Sequence, residues 1–343
     1  MRYLIGYQCA DELDSTSALV RDFSKDISGV YFSLPGAPSA RSAVEPSRAE
    51  DMFRELRDIA SMGKRLVLLY NANCYGPGAA SSAFAEKIRR ETAFVRKEFG
   101  VKDVTTASPF VARVLQDAFG DMDVCASVNM RVGSVQAMEL LTDFNSFYLQ
   151  REHLHDMRHI ARLKAWCDAH GKGLRLIANS GCLYDCPFHT YHDNLVAHES
   201  EISEPPQTEG FPSPCWACMH RVSEEQAAAL FLQGNWIRPE DMEMYAPYFS
   251  EAKLATRMHA VPRRVVSAYV RGRFHGNLLD LTEPAFSMRF HAHILDATLI
   301  PADYFRHRDA CGHQCETCGY CMEIARRALR RQADMEREFL HTI

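Results

Sequence analysis

Twelve cysteines punctuate this sequence, and eight of them fall into tight groups. The first group follows an apolar run in NSGCLYDCPFHTYHDN, residues 179–194. Cys182 and Cys186 are spaced C-x3-C there, with His189 and His192 just beyond. The second is SPCWACMH, residues 213–220, with Cys215 and Cys218 spaced C-x2-C. The third is DACGHQCETCGYC, residues 309–321, in which Cys311, Cys315, Cys318 and Cys321 run C-x3-C-x2-C-x2-C. A short loop between two thiolates lets both sulfurs grip one centre, and four thiolates suit either Zn(II) or an iron–sulfur cluster. Of the first two pairs only Cys215/Cys218 has the C-x2-C form usual in zinc knuckles, so a 4Fe–4S cluster is the preferred reading and zinc the alternative. The spacings 4, 3 and 3 of the third group would align one face of a helix. Gly312 and Gly319 oppose a regular helix there, and a compact run suits a cuboidal cluster better than a single tetrahedral ion. A second 4Fe–4S cluster is therefore expected. The same run contains the spacing of radical S-adenosylmethionine enzymes, but those carry it after the first strand and without a fourth cysteine. His189 and His192 are candidates for proton transfer or ligation; hydrogen bonding within the loop is the plain alternative.

The elements that must hold these side chains alternate along the chain. Runs at 3–8, 29–35, 65–71, 103–108, 122–128, 146–150, 173–179 and 251–257 read as strands, with amphipathic helical stretches between them. Repeated βα units predict a parallel sheet, and about eight of them predict a TIM-like (β/α)8 barrel, with an open doubly wound sheet as runner-up. No glycine-rich dinucleotide or phosphate loop follows the first strand. Barrel chemistry sits at the C-terminal ends of strands. Those ends offer Gln8, Cys9, Asn71, Ser108, Ser127, Arg151, Glu152, Asn179 and Arg257. Arg151, Glu152 and Arg257 are candidates for substrate anchoring or acid–base work. Cys9, Cys74 and Cys125 read first as small buried hydrophobes and second as nucleophiles. The stretch ESEISEPPQTEGFPSP, 199–214, reads as a loop between the first two cysteine groups. The expected organisation is a barrel over 1–280 with an inserted cysteine-containing loop at 180–220, then a cysteine-rich extension and helix over 281–343.

Composition narrows the function. The chain has 343 residues, 47% hydrophobic and 24% charged, with a net charge of −5. That balance disfavours nucleic acid as a partner. The basic stretches at 262–274 and 326–332 read as solvated helix faces. No run approaches the ~18 apolar residues of a membrane span, and the N-terminal apolar stretch is too short for a secretory signal, so a cytoplasmic location is expected. In a reducing compartment the cysteines are expected as thiols or ligands rather than disulfides.

Four segments carry a resemblance. YNANCYGP at 70–77, ASVNMR at 126–131, QREHL at 150–154 and the NSGCLYDCPFHTYH stretch together resemble the collagenase-like peptidase family U32, over roughly residues 1–260. The resemblance implies a TIM-like barrel. Several members of that family resemble oxygen-independent hydroxylases that carry a 4Fe–4S cluster on four cysteines, acting in ubiquinone synthesis and on RNA bases. Cys182, Cys186, Cys215 and Cys218 match the cluster region. This chain departs from the RNA-modifying members in cysteine spacing, lacks a downstream cysteine around IRPEDMEMY, and adds the run at 311–321. The expected function is iron–sulfur-dependent redox chemistry such as oxygen-independent hydroxylation of a small molecule, with an electron-donor protein and a paired family subunit as partners. The alternatives are a peptidase, for which no Ser/His/Asp or H-E-x-x-H signature is present, and a zinc-stabilised binding module.

Overall fold

The computed structural model describes residues 1–9, 15–39, 44–198, 214–290 and 292–333, with backbone alone at 214, 218 and 288. The stretch at 199–213, expected as a loop, lies outside the described residues. Eight strands, β1 (Arg2–Gly6), β2 (Ile27–Phe32), β3 (Arg65–Tyr70), β4 (Asp103–Thr106), β5 (Asp123–Ala126), β6 (Ser146–Tyr148), β7 (Gly173–Ile177) and β8 (Glu251–Lys253), close in chain order into a barrel. Every pairing is parallel, and β8 returns to β1. This is a TIM-like (β/α)8 barrel, and the open sheet is excluded.

Helices α1 (Thr16–Asp22), α2 (Ala49–Ser61), α3 (Ser82–Phe99), α4 (Pro109–Ala118), α5 (Val135–Leu140) and α6 (Met157–Ala169) connect successive strands up to β7. Serine starts several of them: Ser15, Ser81, Ser108 and Ser134 each accept a backbone N–H three residues on, which satisfies a donor the helix leaves unpaired. Ser108, a strand-end candidate, is therefore a cap. The outward faces of the strands and inward faces of the helices form one apolar core, including Val30, Phe32, Leu68, Ile88, Leu115 and Ile160.

The barrel interior is layered. At the N-terminal end Arg175 donates to Asp103 (2.8 Å) and Asp123 (2.6 Å), and Arg65 pairs with Asp103 (3.4 Å) and Glu251 (2.5 Å). Two guanidiniums against three carboxylates make a closed ion network that caps this end. Leu4, Tyr31, Val67 and Leu69 form an apolar middle layer. The C-terminal end is left to the site.

After β7 the chain departs from simple repetition. Helices α7 (His189–Ala197), α8 (Pro214–His220) and α9 (Glu224–Leu232) precede β8, and α10 (Pro262–Arg271) follows it. The extension holds strand β9 (His293–Leu295), then α11 (Tyr304–Ala310), α12 (Cys315–Cys318), α13 (Tyr320–Ala328) and strand β10 (Leu329–Arg331), with β10 antiparallel to β9. A second core, with Phe231, Leu232, Trp236, Phe286, Tyr304 and Ile324 among its members, joins α9 to α13 and the 278–305 region. The extension thus shares its interior with the segment before β8, across the boundary expected at 280. A capping box of Ser223 and Gln226 starts α9, and the Trp236 indole donates to the Phe231 carbonyl (2.8 Å) at its other end.

Candidate functional site

At the C-terminal end of the strands lies a cavity of about 50 Å³. Its charged lining is Arg151, Lys253, Arg257 and Glu283, with Tyr31 and Tyr148 beside them. The volume suits a few waters or a single small polar group. Arg151 leaves β6 through a short 3-10 turn and is buried. Its Nε donates to Ser180 Oγ (2.9 Å), its Nη2 to Asn129 Oδ1 (3.0 Å) and its Nη1 to His189 Nε2 (2.7 Å). A guanidinium only donates, so the Arg151 contact uses a lone pair of His189 Nε2. The His189 Nδ1 is buried and has no hydrogen-bond partner. Asp193, one turn along α7, approaches Nε2 rather than Nδ1, at 3.3 Å. Arg257, just beyond β8, is buried and donates to Ser33 Oγ (2.6 Å).

Sequence reasoning passed over two of the four charged groups. Lys253 ends β8 and is partly buried, with its ammonium 3.8 Å from the Tyr31 ring centroid and 5.3 Å from that of Tyr148. Burial, reinforced by the Arg257 charge, pulls its pKa down from 10.5 to about 7. The alternation E-A-K was the available signal, since it turns Glu251 and Lys253 to the same side of the strand. Glu283 comes from the extension: its backbone bridges Ser180, its N–H donates to the Asn179 carbonyl (3.0 Å), and its carboxylate accepts the Met258 N–H (2.8 Å). No local pattern marks it. Asn179 is a clamp: it donates to the Ala255 and Leu281 carbonyls (2.8 and 2.9 Å) and accepts the Ala255 N–H (2.6 Å).

Glu152 and His192 do not line the cavity. Glu152 faces Arg131 (3.6 Å), which also approaches Asp185 (3.8 Å) in the first cysteine loop, so this carboxylate helps hold that loop. His192 lies on α7, its N–H donating to the Phe188 carbonyl (2.8 Å). Cys9, Cys74 and Cys125 are also absent from the lining. Cys125 is fully buried, and burial pushes its thiol up.

The thiols gather in two places. Cys182 follows Ser180 by two residues, which keeps it within about 7 Å of the mouth. Burial pushes the Cys215 thiol up to about 11, and Cys186 and Cys182 add to the shift, so these three sulfurs feel one another. Arg289 stacked on the Trp216 ring (3.5 Å) holds α8 against the 286–289 turn. The Cys218 side chain lies outside the described residues. Cys311, Cys315, Cys318 and Cys321 line one small pocket with His307, Arg308 and His313. Between them the backbone turns left-handed at Gly312 (φ 61°), His313 (φ 56°) and Gly319 (φ 69°), a conformation that favours glycine. These turns break any continuous helical stripe and bring the four residues round one pocket. Among the described residues no three His, Cys, Asp or Glu side chains are grouped so as to hold a single metal ion. The donor sets are soft thiols, the chemistry an iron–sulfur cluster requires. Among the described residues no helix is long and apolar enough to cross a membrane.

No family model matches the chain. Its sequence is 22% identical over 325 residues to an uncharacterized protease of Methanocaldococcus jannaschii, a span of 93% of this chain and 94% of that protein. Its fold is similar to that of the U32 peptidase Mk0906, with a TM-score of 0.52, 15% identity, and coverage of 74% of this chain and 92% of that one. The U32 peptidase thus shares the barrel fold of this chain, and the archaeal protease is similar to it along nearly its whole length.

Proposed function

We propose that the chain is an enzyme that seats a carboxylate of its substrate in the barrel mouth and performs redox chemistry there, with an iron–sulfur centre on the adjacent thiols. The observation that carries this reading is the charge imbalance of the mouth: Arg151, Arg257 and Lys253 face one cavity with Glu283 as the carboxylate among its lining. Two buried guanidiniums suit bidentate recognition of a carboxylate. His189 and Asn129 fix the Arg151 guanidinium before a substrate arrives, which lowers the cost of ordering it. Lys253, with a pKa near neutrality, is suited to take or give a proton at the bound group. Cys182, Cys186 and Cys215, completed by Cys218, would hold the centre. When bound, such a centre supplies a one-electron couple or a Lewis-acidic iron. The redox reading requires an electron-donor partner.

Peptide hydrolysis is the second reading. The comparisons back it more directly, because both relatives are named as protease or peptidase, and the carboxyl terminus of a peptide would suit the same mouth. Among the described lining residues no serine or threonine hydroxyl is hydrogen-bonded to a general base. No cysteine contributes to it, Ser180 Oγ is held by Arg151, and Ser127 Oγ accepts the Asn129 N–H.

The test is calorimetric titration of the anaerobically purified protein with small carboxylates and with their uncharged amides. Carboxylates should bind, amides should not, and Arg257→Met should weaken carboxylate binding at least tenfold. Equal binding of amides, or no carboxylate binding, refutes the reading of the mouth. Release of new amines from carboxylate-terminated peptides by protein that contains no iron would select hydrolysis over redox chemistry.

A further inference from the structure

We propose that Cys311, Cys315, Cys318 and Cys321 form a second iron–sulfur site, separate from the thiols at the mouth, with Arg308 as its built-in countercharge. The argument begins with Arg308 rather than with the cysteines. Its guanidinium is buried, at 2% exposure, and donates to three carbonyls at the end of α9, those of Leu232, Gln233 (2.9 Å) and Gly234 (3.3 Å). Its Nε has no hydrogen-bond acceptor among the described residues, and the acceptors of its other donors are neutral carbonyls. The carbonyls at the end of α9 offset part of the cost of burying this cation, but they carry no net charge to neutralise it. The groups placed to balance it are the thiols of Cys311, Cys315 and Cys321, which share its pocket. Neutral thiols do not balance a charge, but thiolates bound to a metal centre do. A four-thiolate cluster is anionic overall, and it would sit against the one fixed cation of this pocket.

The surrounding residues wall the pocket, whose volume is about 20 Å³ before any group enters it. Three left-handed residues fold α11, α12 and α13 around the pocket. The His307 ring stacks on Tyr320 at 3.6 Å, with its Nε2 3.5 Å from Cys318 Sγ, and walls one side. His313 stacks on Tyr184 at 3.8 Å, nearly parallel. Tyr184 lies between Cys182 and Cys186, so this ring pair is a direct junction between the two cysteine loops. The second site is therefore attached to the first, and through it to the mouth. This proposal stands whether or not the mouth thiols carry a cluster.

The experiment is an alkylation footprint of the anaerobically purified full chain, with iron, acid-labile sulfide and zinc measured on the same sample. Iodoacetamide is applied before and after removal of metal with chelator and oxidant, and the labelled cysteines are read by peptide mapping. The four cysteines of 311–321 should be protected before and labelled after, with about four irons and four sulfides attributable to them. The double variant Cys315→Ser, Cys318→Ser should lose that iron and sulfide while Cys182, Cys186 and Cys215 keep whatever protection they have in the parent. Labelling of the four cysteines in the untreated protein overturns the proposal, as does protection by zinc without sulfide. Protection confined to 182–218 overturns it while leaving the mouth reading intact, and protection confined to 311–321 does the reverse. The footprint of the unmutated chain decides the matter even where the double variant misfolds.

Discussion

Lys253→Met should make the protein more stable, and by an amount that depends on pH. In the fold the partly buried Lys253 ammonium faces the Arg257 charge, and its pKa falls from 10.5 to about 7. Between those values the unfolded chain holds a proton that the folded chain has given up, so stability rises with pH across the interval. Below pH 7 both states are protonated and the fold bears the full cost of charging the amine. Above 10.5 both are neutral and the cost vanishes. The shift corresponds to at most about 5 kcal/mol. The amine opens toward the mouth, and screening there reduces the figure to about 2 kcal/mol. For 343 residues the entropy of unfolding is about 0.7 kcal/mol/K, so the methionine variant should melt about 3 °C above the parent at pH 6.5. The difference should shrink toward zero by pH 10. Thermal scans of both proteins at one scan rate, from pH 6 to 10, provide the measurement. A difference that stays constant across that range, or a variant less stable at pH 6.5, would refute the account of a desolvated amine at the mouth.

Three further outcomes follow from named contacts. Arg175→Met removes the cation that bridges Asp103 and half-exposed Asp123 while Arg65 still faces Asp103, and should cost about 1–3 kcal/mol at pH 7. Denaturant unfolding should show the loss, and part of it should return as pH falls and the carboxylates are protonated. Asn179→Ala removes three buried hydrogen bonds that tie β7 to the 255 and 281 segments, and should lower stability by about 2–4 kcal/mol; a change under 1 kcal/mol would remove its role as a clamp. Cys125→Ala should leave iron content and carboxylate binding as in the parent, since this thiol is buried away from the cavity lining; loss of hydrolytic activity in this variant alone would establish it as a nucleophile.

The eight strands were legible because a barrel strand buries its outward face under helices, so each registers as a short apolar run whatever its partners. Local chemistry fixed the helix starts at Ser81 and Ser134 and the left-handed turns at Gly312 and Gly319. Arg151 and Arg257 were legible as polar residues at strand ends. What the sequence by itself determined was therefore the barrel, the cysteine groups and two of the charges at the mouth. The tertiary structure alone decided the rest, since those features depend on contacts between distant segments. Glu283 reaches the cavity only because its backbone pairs with Ser180 across about a hundred residues. Lys253 becomes a near-neutral amine only when the closed barrel removes it from water beside Arg257. Glu152 looks identical to Arg151 in promise until the short turn after β6 sends it to Arg131 instead. Arg308 is an ordinary basic residue of a short helix until the carbonyls at the end of α9 hold it, buried, at the pocket that the cysteines line. Burial and charge pairing are properties of the assembled chain, and no local pattern encodes them.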